Sequence, residues 1–429
     1  MMFYSLNNTQ EKSNFKEAIF NSLASDGGLY FPERINKLSI DFLNNISNYK
    51  NYEIGYEIMK NFVDKSMNSS DLVDIIQKTL NFDFKLYEVE KNIFSFELFH
   101  GPTLAFKDVG ANFLANCLEY YSEDKKLNIL VATSGDTGAA VANSFYNKKN
   151  INVYVLFPKN KISEYQERQI TSKGDNIYPI EIEGSFDDCQ SLVKRAFKDK
   201  NLRSKINISS ANSINVGRWL PQSIYYFIIL KELSKININN KINISVPSGN
   251  FGNICAGLIA MKMGLNVNNF IAATNINDTI PRYLKTGEYT PKKTIRTISN
   301  AMDVSDPNNF PRIEHIYDNN FKTLKNKLRA EKVNEEETKN QIKKTFHDSK
   351  YILDPHGAVG LVGLKRYNLK FETGIFLETA HPVKFRDSIT EIIDVNIDDP
   401  LKHTNKEENH KKGLKKNYGD FIEFIKESQ

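Results

Sequence analysis

The residues best suited to chemistry lie between positions 100 and 120, in HGPTLAFKDVGANFLANCLEY. Within this segment Lys107 stands between Phe106 and Asp108, and apolar residues then recur every four positions, which predicts a helix with an apolar face. The positive end of a helix dipole and burial beside an aromatic ring both disfavour an ammonium, so both lower the pKa of Lys107. A neutral amine can form a Schiff base with a carbonyl compound. The alternative is a surface lysine at the start of a helix.

A second feature is the turn SGNFGN, from Ser248 to Asn253, which follows the strand-like run KINISVP and precedes a predicted helix. Backbone N–H groups at a helix N-terminus bind anions, and glycine lets a phosphate come close. The turn lacks both the G-K-[ST] of a nucleotide P-loop and the spacing of G-x-G-x-x-G. It therefore favours a terminal monophosphate, with a plain tight connection as the alternative.

A third feature is the turn TSGDTG, from Thr133 to Gly138, which also joins a predicted strand to a predicted helix. Ser134, Thr137 and the local amides are suited to holding a carboxylate. Asp136 is awkward for an anion site, so its side chain must point away or hydrogen-bond a protonated group. Taken alone, this turn is a weak indication of function.

The composition is typical of a globular protein with two or more domains. The chain has 429 residues, of which 40% are hydrophobic and 25% charged, and a formal net charge of +5. The charge is spread without a basic, aromatic-rich patch, so we expect no nucleic-acid partner. No apolar run reaches transmembrane length and the N-terminus lacks a secretion signal, so we expect no membrane association and a cytoplasmic location.

The cysteines point to a reducing compartment and give no sign of a metal site. Cys117, Cys189 and Cys255 lie far apart without metal-ligand spacing, and an odd number cannot all pair. We therefore expect reduced thiols in the core and predict no metal.

The candidate residues have to be positioned by alternating strands and helices. Strand-like runs precede both turns, and further runs such as INVYVLFP and FETGIFLETA alternate with helical patterns. One long helix is predicted from Val216 to Leu233, with Pro221 near its first turn. The alternation predicts an α/β fold with largely parallel sheets covered by helices on both faces. In such folds ligands bind at the carboxyl ends of the strands.

The N-terminal residues, 1–85, are predicted to form a separate and mostly helical unit. A helix beginning at Phe15 would be closed by a tight turn at Gly27 and Gly28 and stopped by Pro32. The rest of the chain divides by composition into the following parts: a core at 86–395, which includes a smaller subdomain at about 110–215 and a charged, helix-rich insertion at about 307–349, and a charged C-terminal tail with one short apolar helix at 396–429.

In combination these features resemble the tryptophan-synthase-β-like, or fold type II, pyridoxal-phosphate enzymes, which have a reactive lysine, a Ser/Gly/Thr turn and a Gly-Asn phosphate turn in this order. Within that group the chain closely resembles the threonine synthases. The matching phrases, between about residues 20 and 390, are ASDGGLYFP, ELFHGPTLAFKD, ATSGDTGAA, ISEYQERQ, EGSFDDCQ, NSINVGRWLPQ, VPSGNFGN, DPHGAVG and ETAHPVKF. DGGLYFP and FDDCQ are not expected in the related dehydratases or cysteine synthases.

The resemblance implies pyridoxal 5'-phosphate as the cofactor. Lys107 would be the catalytic residue, carrying the Schiff base and moving protons, and Thr379 would face the pyridine nitrogen as a neutral partner. The residues implied to bind the cofactor are Lys107, Gly249, Asn250, Phe251, Asn253, Thr379 and Asp136. Thr379 could instead merely end a strand.

The resemblance also implies a set of substrate contacts. The TSGDTG turn would face the substrate's carboxylate and imine, and Arg218 would meet its phosphate, unless Arg218 makes a surface ion pair instead. The residues implied to contact substrate are Ser134, Gly135, Thr137, Gly138, Arg218 and, as further phosphate candidates, Lys159 and Arg168. His356 and His381 resemble catalytic histidines, but a structural role beside the site is favoured.

The implied small-molecule reaction converts O-phospho-L-homoserine and water into L-threonine and phosphate. It needs an enclosed site, so we expect the smaller subdomain to close over the larger one. The alternatives are another fold type II lyase, such as a threonine or serine dehydratase or an O-phosphothreonine phospho-lyase, and a non-enzymatic phosphoester-binding protein. The chain departs from the family in lacking S-T-R-G near its start and in having Pro221. A monomer and a homodimer both remain open.

Overall fold

The computed structural model describes residues 1–63, 65–122, 126–238, 240–367, 369, 372–400 and 409–428. Its strands, in chain order, are β1 (Met2–Ser5), β2 (Lys12–Asn14), β3 (Tyr30–Pro32), β4 (Lys85–Glu90), β5 (Ile93–Glu97), β6 (Leu127–Ala132), β7 (Ile151–Pro158), β8 (Ile177–Glu183), β9 (Asn207–Ser210), β10 (Ile242–Pro247), β11 (Asn269–Thr274), β12 (Leu328–Lys332), β13 (Thr373–Glu378) and β14 (Lys412–Lys415).

The α-helices connect and cover these strands. In chain order they are α1 (Phe15–Asn21), α2 (Ile40–Asn44), α3 (Asn51–Met59), α4 (Ser69–Thr79), α5 (Lys107–Tyr121), α6 (Asp136–Phe145), α7 (Glu164–Thr171), α8 (Phe186–Lys198), α9 (Lys200–Arg203), α10 (Val216–Trp219), α11 (Ser223–Lys235), α12 (Gly252–Lys262), α13 (Thr279–Thr286), α14 (Phe310–Ile316), α15 (Phe321–Lys327), α16 (Glu335–Ser349), α17 (Pro355–Arg366), α18 (Arg386–Ile393) and α19 (Tyr418–Glu427). No helix among the described residues is long and apolar enough to cross a membrane.

Across the described residues the strands form three sheets. The small sheet, in the order β2-β1-β3, is antiparallel. The larger sheets have the orders β12-β11-β10-β13-β5-β4 and β14-β8-β7-β6-β9, and every neighbouring pair in them is parallel except β4–β5. The predicted α/β fold with largely parallel sheets is confirmed.

The strands that lead to the candidate site are buried along their whole length. Every residue of β6, β10 and β13 is buried, as expected for parallel strands with helices on both faces. Because both faces are covered, these strands are mostly apolar and do not alternate between apolar and polar residues, although Asn128, Asn243 and Glu378 are buried within them. Antiparallel β4, at the edge of its sheet, keeps several exposed residues.

The N-terminal unit is less helical than predicted. The predicted helix from Phe15 ends at Asn21, because Ser22 adopts φ +62° and breaks it. The chain then turns back through Gly27, at φ +80°, into β3, which pairs with β1. Apolar residues here were too few and too closely followed by turns to show strand periodicity, so the small sheet was missed.

The predicted long helix from Val216 is interrupted at its proline. Leu220–Gln222 form a 3-10 turn between α10 and α11, and Pro221 lies within it. Proline lacks the N–H that an α-helix would need at this point. The proline therefore separates two helices instead of lying in the first turn of one.

Two further segments contain more structure than predicted. The insertion at about 307–349 includes β12, which extends the six-stranded sheet by pairing with β11. In the C-terminal tail β14 pairs with β8, and α19 buries Phe421 and Ile425 in the core beneath the five-stranded sheet. The smaller parallel sheet is therefore built from residues 127–210 together with the chain's end. The domain boundaries themselves stay predictions.

Candidate active site

A cavity of about 1060 Å³ lies where strands of the two large sheets end. Its wall includes residues that follow the carboxyl ends of β6, β10 and β13, the position expected for ligands in α/β folds. The predicted site residues that share this wall are Lys107, Ser134, Asp136, Thr137, Arg218, Gly249, Asn250, Phe251, Asn253 and Thr379. Residues from five separate segments of the sequence therefore meet in one cavity.

Lys107 begins α5 and projects into the cavity. Its Nζ lies 3.4 Å from Oδ2 of Asp136 and 4.8 Å from the centre of the Phe106 ring, and the side chain is 16% exposed. Burial lowers the pKa of the Lys107 ammonium; Asp136 opposes that shift, and the positive charge of Lys384 adds to it. The result is an amine with a lowered pKa at the start of a helix, in an otherwise enclosed site.

Asp136 occupies the first turn of α6 and is held on several sides. Its Oδ1 forms an ion pair with Lys384 Nζ at 2.9 Å and accepts a hydrogen bond from Gln166 Nε2 at 2.8 Å, while Oδ2 faces Lys107. Burial alone would raise the pKa of this carboxyl, but Lys384 and Lys107 lower it overall. Asp136 is therefore a carboxylate, and it lies beside the amine instead of pointing away.

Lys384 is a component of the site that the sequence reasoning missed. Its side chain is 0% exposed, and its Nζ also donates to the carbonyl oxygen of Thr103 at 2.7 Å. It belongs to the phrase ETAHPVKF, where only Thr379 and His381 were considered. A fully buried lysine needs a buried partner, but the sequence does not show that this partner is Asp136.

The SGNFGN turn brings its backbone close to the neighbouring loop. Phe251 adopts a left-handed conformation at φ +59°, and α12 starts at Gly252. A Cβ at Gly249 would lie 2.8 Å from the carbonyl oxygen of Ala301 and 2.9 Å from Cα of Met302, so only glycine fits there. The Asn250 side chain accepts from Asn308 Nδ2 at 3.3 Å. The turn is a tightly packed cradle at a helix N-terminus, suited to an anion.

Asn253 supplies this cradle with a side-chain donor. Its Oδ1 accepts hydrogen bonds from the hydroxyls of Tyr225 and Tyr226, both at 2.6 Å, which fixes the amide. Its Nδ2 is buried and has no hydrogen-bond partner within the described part of the chain. A buried donor without a partner is costly, so this group is available for an acceptor in the cavity.

Arg218 presents a second incompletely satisfied donor. Its Nη1 donates to the carbonyl oxygen of Ala211 at 2.8 Å, whereas Nε is buried and has no partner among the residues that the structure describes. Burial lowers the pKa of this guanidinium to about 10, so it remains positive at neutral pH. Arg218 is not in a surface ion pair, since its side chain is buried on the cavity wall.

Thr379 follows β13 and anchors the lysine segment. Its carbonyl oxygen accepts a hydrogen bond from the Phe106 N–H at 3.0 Å, and Ala380 forms a bridge with Ala105. The residue is 5% exposed and lines the cavity. The segment that carries the neutral Thr379 hydroxyl is therefore also paired with the backbone just before Lys107.

Other predicted site residues do not line the cavity. Gly135, at φ +133°, packs against Gln166, and the N–H groups of Gly135 and Gly138 donate to Oγ1 of Thr133, so both glycines shape the turn. Lys159 is 47% exposed and lies 3.6 Å from Glu183. Arg168 is 60% exposed and lies over the Tyr165 ring. Substrate contacts by these residues stay predictions.

The two histidines make contacts typical of structural roles. His356 Nε2 accepts from the Ala301 N–H at 3.3 Å, and its Nδ1 donates to Asp354 at 2.5 Å, which fixes the ring on the cavity wall. His381 Nδ1 accepts from the Val383 N–H at 3.2 Å, and burial lowers the pKa of His381 to about 4. These contacts engage both ring nitrogens of His356 and Nδ1 of His381.

The cavity wall also includes groups that the sequence reasoning did not assign. The basic residues among them come from α8 and α9: Lys194, Lys198, Lys200 and Arg203. The N-terminal unit contributes residues of the ASDGG segment, Ala24 to Gly28. The signal in the sequence that could have identified these residues is the pair of segments DGGLYFP and FDDCQ, which are not expected in the related dehydratases or cysteine synthases. Asp26 to Gly28 of the first segment and Phe186 and Gln190 of the second line the cavity.

The cysteines are confirmed as core residues. Cys117, Cys189 and Cys255 are buried free thiols. Burial raises the pKa of each thiol, so none is an activated nucleophile.

Two protein-family models match this chain. Residues 85–377 match the model for pyridoxal-phosphate dependent enzymes, and residues 2–80 match the model for the threonine synthase N terminus. The first match spans both turns and Lys107, and the second spans the small N-terminal sheet.

Characterised relatives resemble the chain over almost its whole length. Threonine synthase from Haemophilus influenzae is 44% identical over 404 residues, covering 94% of this chain and 93% of the relative. The crystal structure of threonine synthase from Escherichia coli superimposes with a TM-score of 0.94 at 38% identity, covering 100% of both chains. The structure of a PLP-bound threonine synthase from Brucella melitensis gives a TM-score of 0.92 at 30% identity, covering 100% of this chain and 99% of the other.

Proposed function

Since the chain belongs to the threonine synthase family of pyridoxal-phosphate-dependent enzymes, we propose that its cavity converts O-phospho-L-homoserine and water into L-threonine and phosphate. The observation that carries the assignment of the site is the position of Lys107. A desolvated amine lies 3.4 Å from a buried carboxylate, in the same cavity as a glycine turn with an unsatisfied amide donor. The enzyme class is a carbon–oxygen lyase acting on a phosphate ester.

The residues of the cavity fit pyridoxal 5'-phosphate. The cradle at Gly249 and the unpartnered Nδ2 of Asn253 suit its phosphate, Lys107 suits its carbonyl carbon, and the hydroxyl of Thr379 suits its ring nitrogen. When bound, the cofactor supplies an electron sink that stabilises negative charge on carbons next to the substrate's amino group. A neutral hydroxyl leaves the ring less fully protonated than a carboxylate would.

Lys107 is the group that moves protons. Its Nζ, as the neutral amine, takes the proton from the substrate's α-carbon and then assists removal of a proton from the β-carbon. The bond between the γ-carbon and the phosphate then breaks, and the two protons taken from the α- and β-carbons are returned to the γ- and α-carbons. Water adds its hydroxyl to the β-carbon, and its proton goes to the released phosphate. Asp136 stabilises Lys107 Nζ each time that atom carries the added proton, since its Oδ2 lies nearby.

Ser134 and Thr137 hold the substrate's carboxylate at the N-terminus of α6. An acidic residue within this turn would ordinarily repel an anion, but the Asp136 carboxylate is neutralised by Lys384 and Lys107. The helix dipole and the backbone amides therefore remain effective for a second carboxylate.

Arg218 binds the substrate's phosphate. Its buried guanidinium has an Nε donor without a partner among the described residues, and a phosphate oxygen would satisfy it by a charge-assisted hydrogen bond. Lys194, Lys198, Lys200 and Arg203 line the same cavity and attract the dianion from solution. Lys159 and Arg168 are left as further candidates.

Enclosure of the cavity is part of the proposal. Water that reached the site early would divert the reaction to a 2-oxo acid. The wall combines α8 and α9 of the smaller parallel-sheet unit with the loop around Met302 in the larger one. Closure of the first over the second would exclude water, as predicted for the subdomain at about 110–215.

The test is a turnover assay with the purified full-length protein loaded with pyridoxal 5'-phosphate. Supplied with O-phospho-L-homoserine, it should release phosphate and form threonine in equal amounts. Supplied with O-phospho-L-threonine or L-threonine, it should form 2-oxobutyrate far more slowly. Faster turnover of either of these two compounds would favour the phospho-lyase or dehydratase alternative, and binding without turnover would favour the non-enzymatic one. A cytoplasmic location and a monomeric or homodimeric state are retained as predictions.

A further inference from the structure

The buried Lys384 is not explained by any contact with the cavity. It does not line the cavity wall and its side chain is 0% exposed. Its Nζ forms an ion pair with Asp136 Oδ1 at 2.9 Å and donates a hydrogen bond to the Thr103 carbonyl at 2.7 Å. A buried ammonium is costly unless it is paired. Because Lys384 is paired with Asp136, its charge can affect the cavity through that carboxylate.

The distances show which lysine is the principal partner of Asp136. Lys384 lies 2.9 Å from the carboxylate and Lys107 lies 3.4 Å from it. Gln166 adds a neutral donor at 2.8 Å. Lys384 and Asp136 thus form a buried ion pair that does not need Lys107. The Nζ of Lys107 is farther from the carboxylate, and its side chain is more exposed than that of Lys384.

We propose that Lys384 is a positioning residue that keeps Asp136 ionised independently of Lys107 and so allows Lys107 to exist as a neutral amine in the cofactor site. Without Lys384, loss of the Lys107 proton would leave the buried Asp136 carboxylate with no cation in hydrogen-bond contact, and Lys107 would be retained as an ammonium. With Lys384 present, Lys107 can lose or regain its proton while Asp136 stays paired. The inference rests on the proposed role of Lys107.

Other charged groups around this pair do not replace Lys384. Arg218, on α10, adds positive charge near Lys107, and its buried Nη1 is used by Ala211. Asp108, on α5, is engaged by the N–H and Oγ1 of Thr103 at 2.9 and 2.5 Å. His356, on α17, gives its Nδ1 to Asp354. Among the described residues, direct ion pairs with Asp136 come from the two lysines.

The test measures the protonation of Lys107 itself in full-length protein freed of cofactor. The rate at which Lys107 reacts with a small acid anhydride is followed against pH by peptide mass spectrometry, with surface lysines as internal references. Lys384→Met removes a like charge and leaves Lys107 as the sole cation on Asp136, so the midpoint for Lys107 should rise by about one pH unit or more. Lys384→Arg should keep the wild-type midpoint.

The matched control is Lys148→Met. Lys148 is also largely buried, at 19% exposure, and is paired with Glu119 at 2.6 Å, but it does not line the cavity. This substitution should leave the Lys107 midpoint unchanged. A purely structural role for Lys384 would lower the melting temperature without moving the midpoint, and that result in a folded Lys384→Met protein would overturn the proposal.

A double substitution keeps the test decisive if Lys384→Met does not fold. Asp136→Asn/Lys384→Met removes both charges of the pair, so it leaves neither buried charge unpaired. Asp136→Asn alone should have the lowest Lys107 midpoint of these proteins. The Lys107 midpoint of the double variant should be about one pH unit higher than that. Equal midpoints in these two proteins would contradict the proposal. Because the measurement needs neither cofactor nor turnover, its failure is distinguishable from absence of threonine synthase activity.

Discussion

The two strand-to-helix turns that face the cavity use the same backbone device with different electrostatics. The TSGDTG turn after β6 starts α6 with a buried carboxylate, Asp136, held between two lysines. The SGNFGN turn after β10 starts α12 with a neutral amide, Asn253, held by two tyrosine hydroxyls. Both present a helix N-terminus to the ligand, but only the first contains a charged side chain.

This difference matches the ligand group that each turn is proposed to hold. A helix N-terminus with uncharged residues binds a phosphate and nothing needs to change during the reaction. A helix N-terminus with a compensated carboxylate can bind a carboxylate from substrate and also accommodate an amine whose charge changes. The comparison shows that the position of a turn in an α/β fold identifies a site, whereas the buried side chains around it determine its chemistry.

The largest expected effect comes from neutralising the charged turn. Asp136→Asn leaves the Lys384 ammonium buried without a carboxylate, so the free energy of unfolding should fall by about 3–5 kcal/mol. Denaturant titration of the cofactor-free protein measures it. The control is Asp175→Asn, an exposed carboxylate bonded to Tyr146, which should change stability by less than about 1 kcal/mol. Similar losses of unfolding free energy in both variants would mean that the buried Asp136 carboxylate contributes no more to stability than an exposed one.

The converse substitution places a charge in the neutral turn. Asn253→Asp is nearly isosteric but sets a carboxylate against the proposed phosphate position, so the dissociation constant for pyridoxal 5'-phosphate should rise by about 100-fold, or about 2.7 kcal/mol. Tyr225→Phe removes one of the two hydroxyls that fix the Asn253 amide, and it should raise the same dissociation constant by about tenfold or less. Equilibrium titration of the cofactor gives both values. An unchanged affinity of Asn253→Asp for the cofactor would contradict the assignment of the phosphate to this turn.

The charged turn should also give stability a component that depends on pH. The pKa of Asp136 is lowered in the folded protein from its ordinary value of 3.8, so in acid the folded state binds fewer protons at this group than the unfolded chain does. Its contribution is complete above the ordinary value and is lost as the pH falls below it. The difference in unfolding free energy between wild type and Asp136→Asn should therefore shrink on acidification below pH 3.8. A difference that stays constant or grows would contradict the assignment.

The smallest expected effect concerns the basic residues at the cavity wall. Replacing Lys194 and Lys198 together by alanine should lower kcat/KM for the phosphorylated substrate by a factor of about three to ten, because long-range attraction of the dianion is weakened. The loss should disappear at high salt, since exposed charges are screened. Lys426→Ala, on α19 and outside the cavity wall, is the control and should have no effect. A loss in kcat that persists at high salt would indicate direct contact with the reacting groups.

Much of this arrangement could be predicted from local sequence. The lysine at a helix start and the two glycine-bearing turns are each encoded within six or seven consecutive residues. Buried parallel strands can be recognised in the sequence as largely apolar runs. The family resemblance then placed these parts in one cofactor site. The parallel sheets and the shared cavity agree with those predictions.

What escaped prediction depends on contacts between distant segments. Lys384 is one of many lysines in the sequence, and only the fold shows that it is buried against Asp136. The small N-terminal sheet is formed by strands of three or four residues, too short to establish a period. The ion pairs of Lys159 with Glu183 and of Arg168 with Asp399 likewise join residues that are far apart in the sequence.

The most direct test of the account is the Lys107→Ala protein. Purified wild-type protein incubated with pyridoxal 5'-phosphate should be yellow and retain its visible absorbance through gel filtration, and should form threonine from O-phospho-L-homoserine. After borohydride treatment, the Lys107→Ala protein should carry no covalently attached cofactor and therefore no cofactor absorbance. Its kcat should be lower by about 10³-fold or more, since no other described amine approaches Asp136 from the cavity wall. A Lys107→Ala protein that retained full turnover would contradict the central claim.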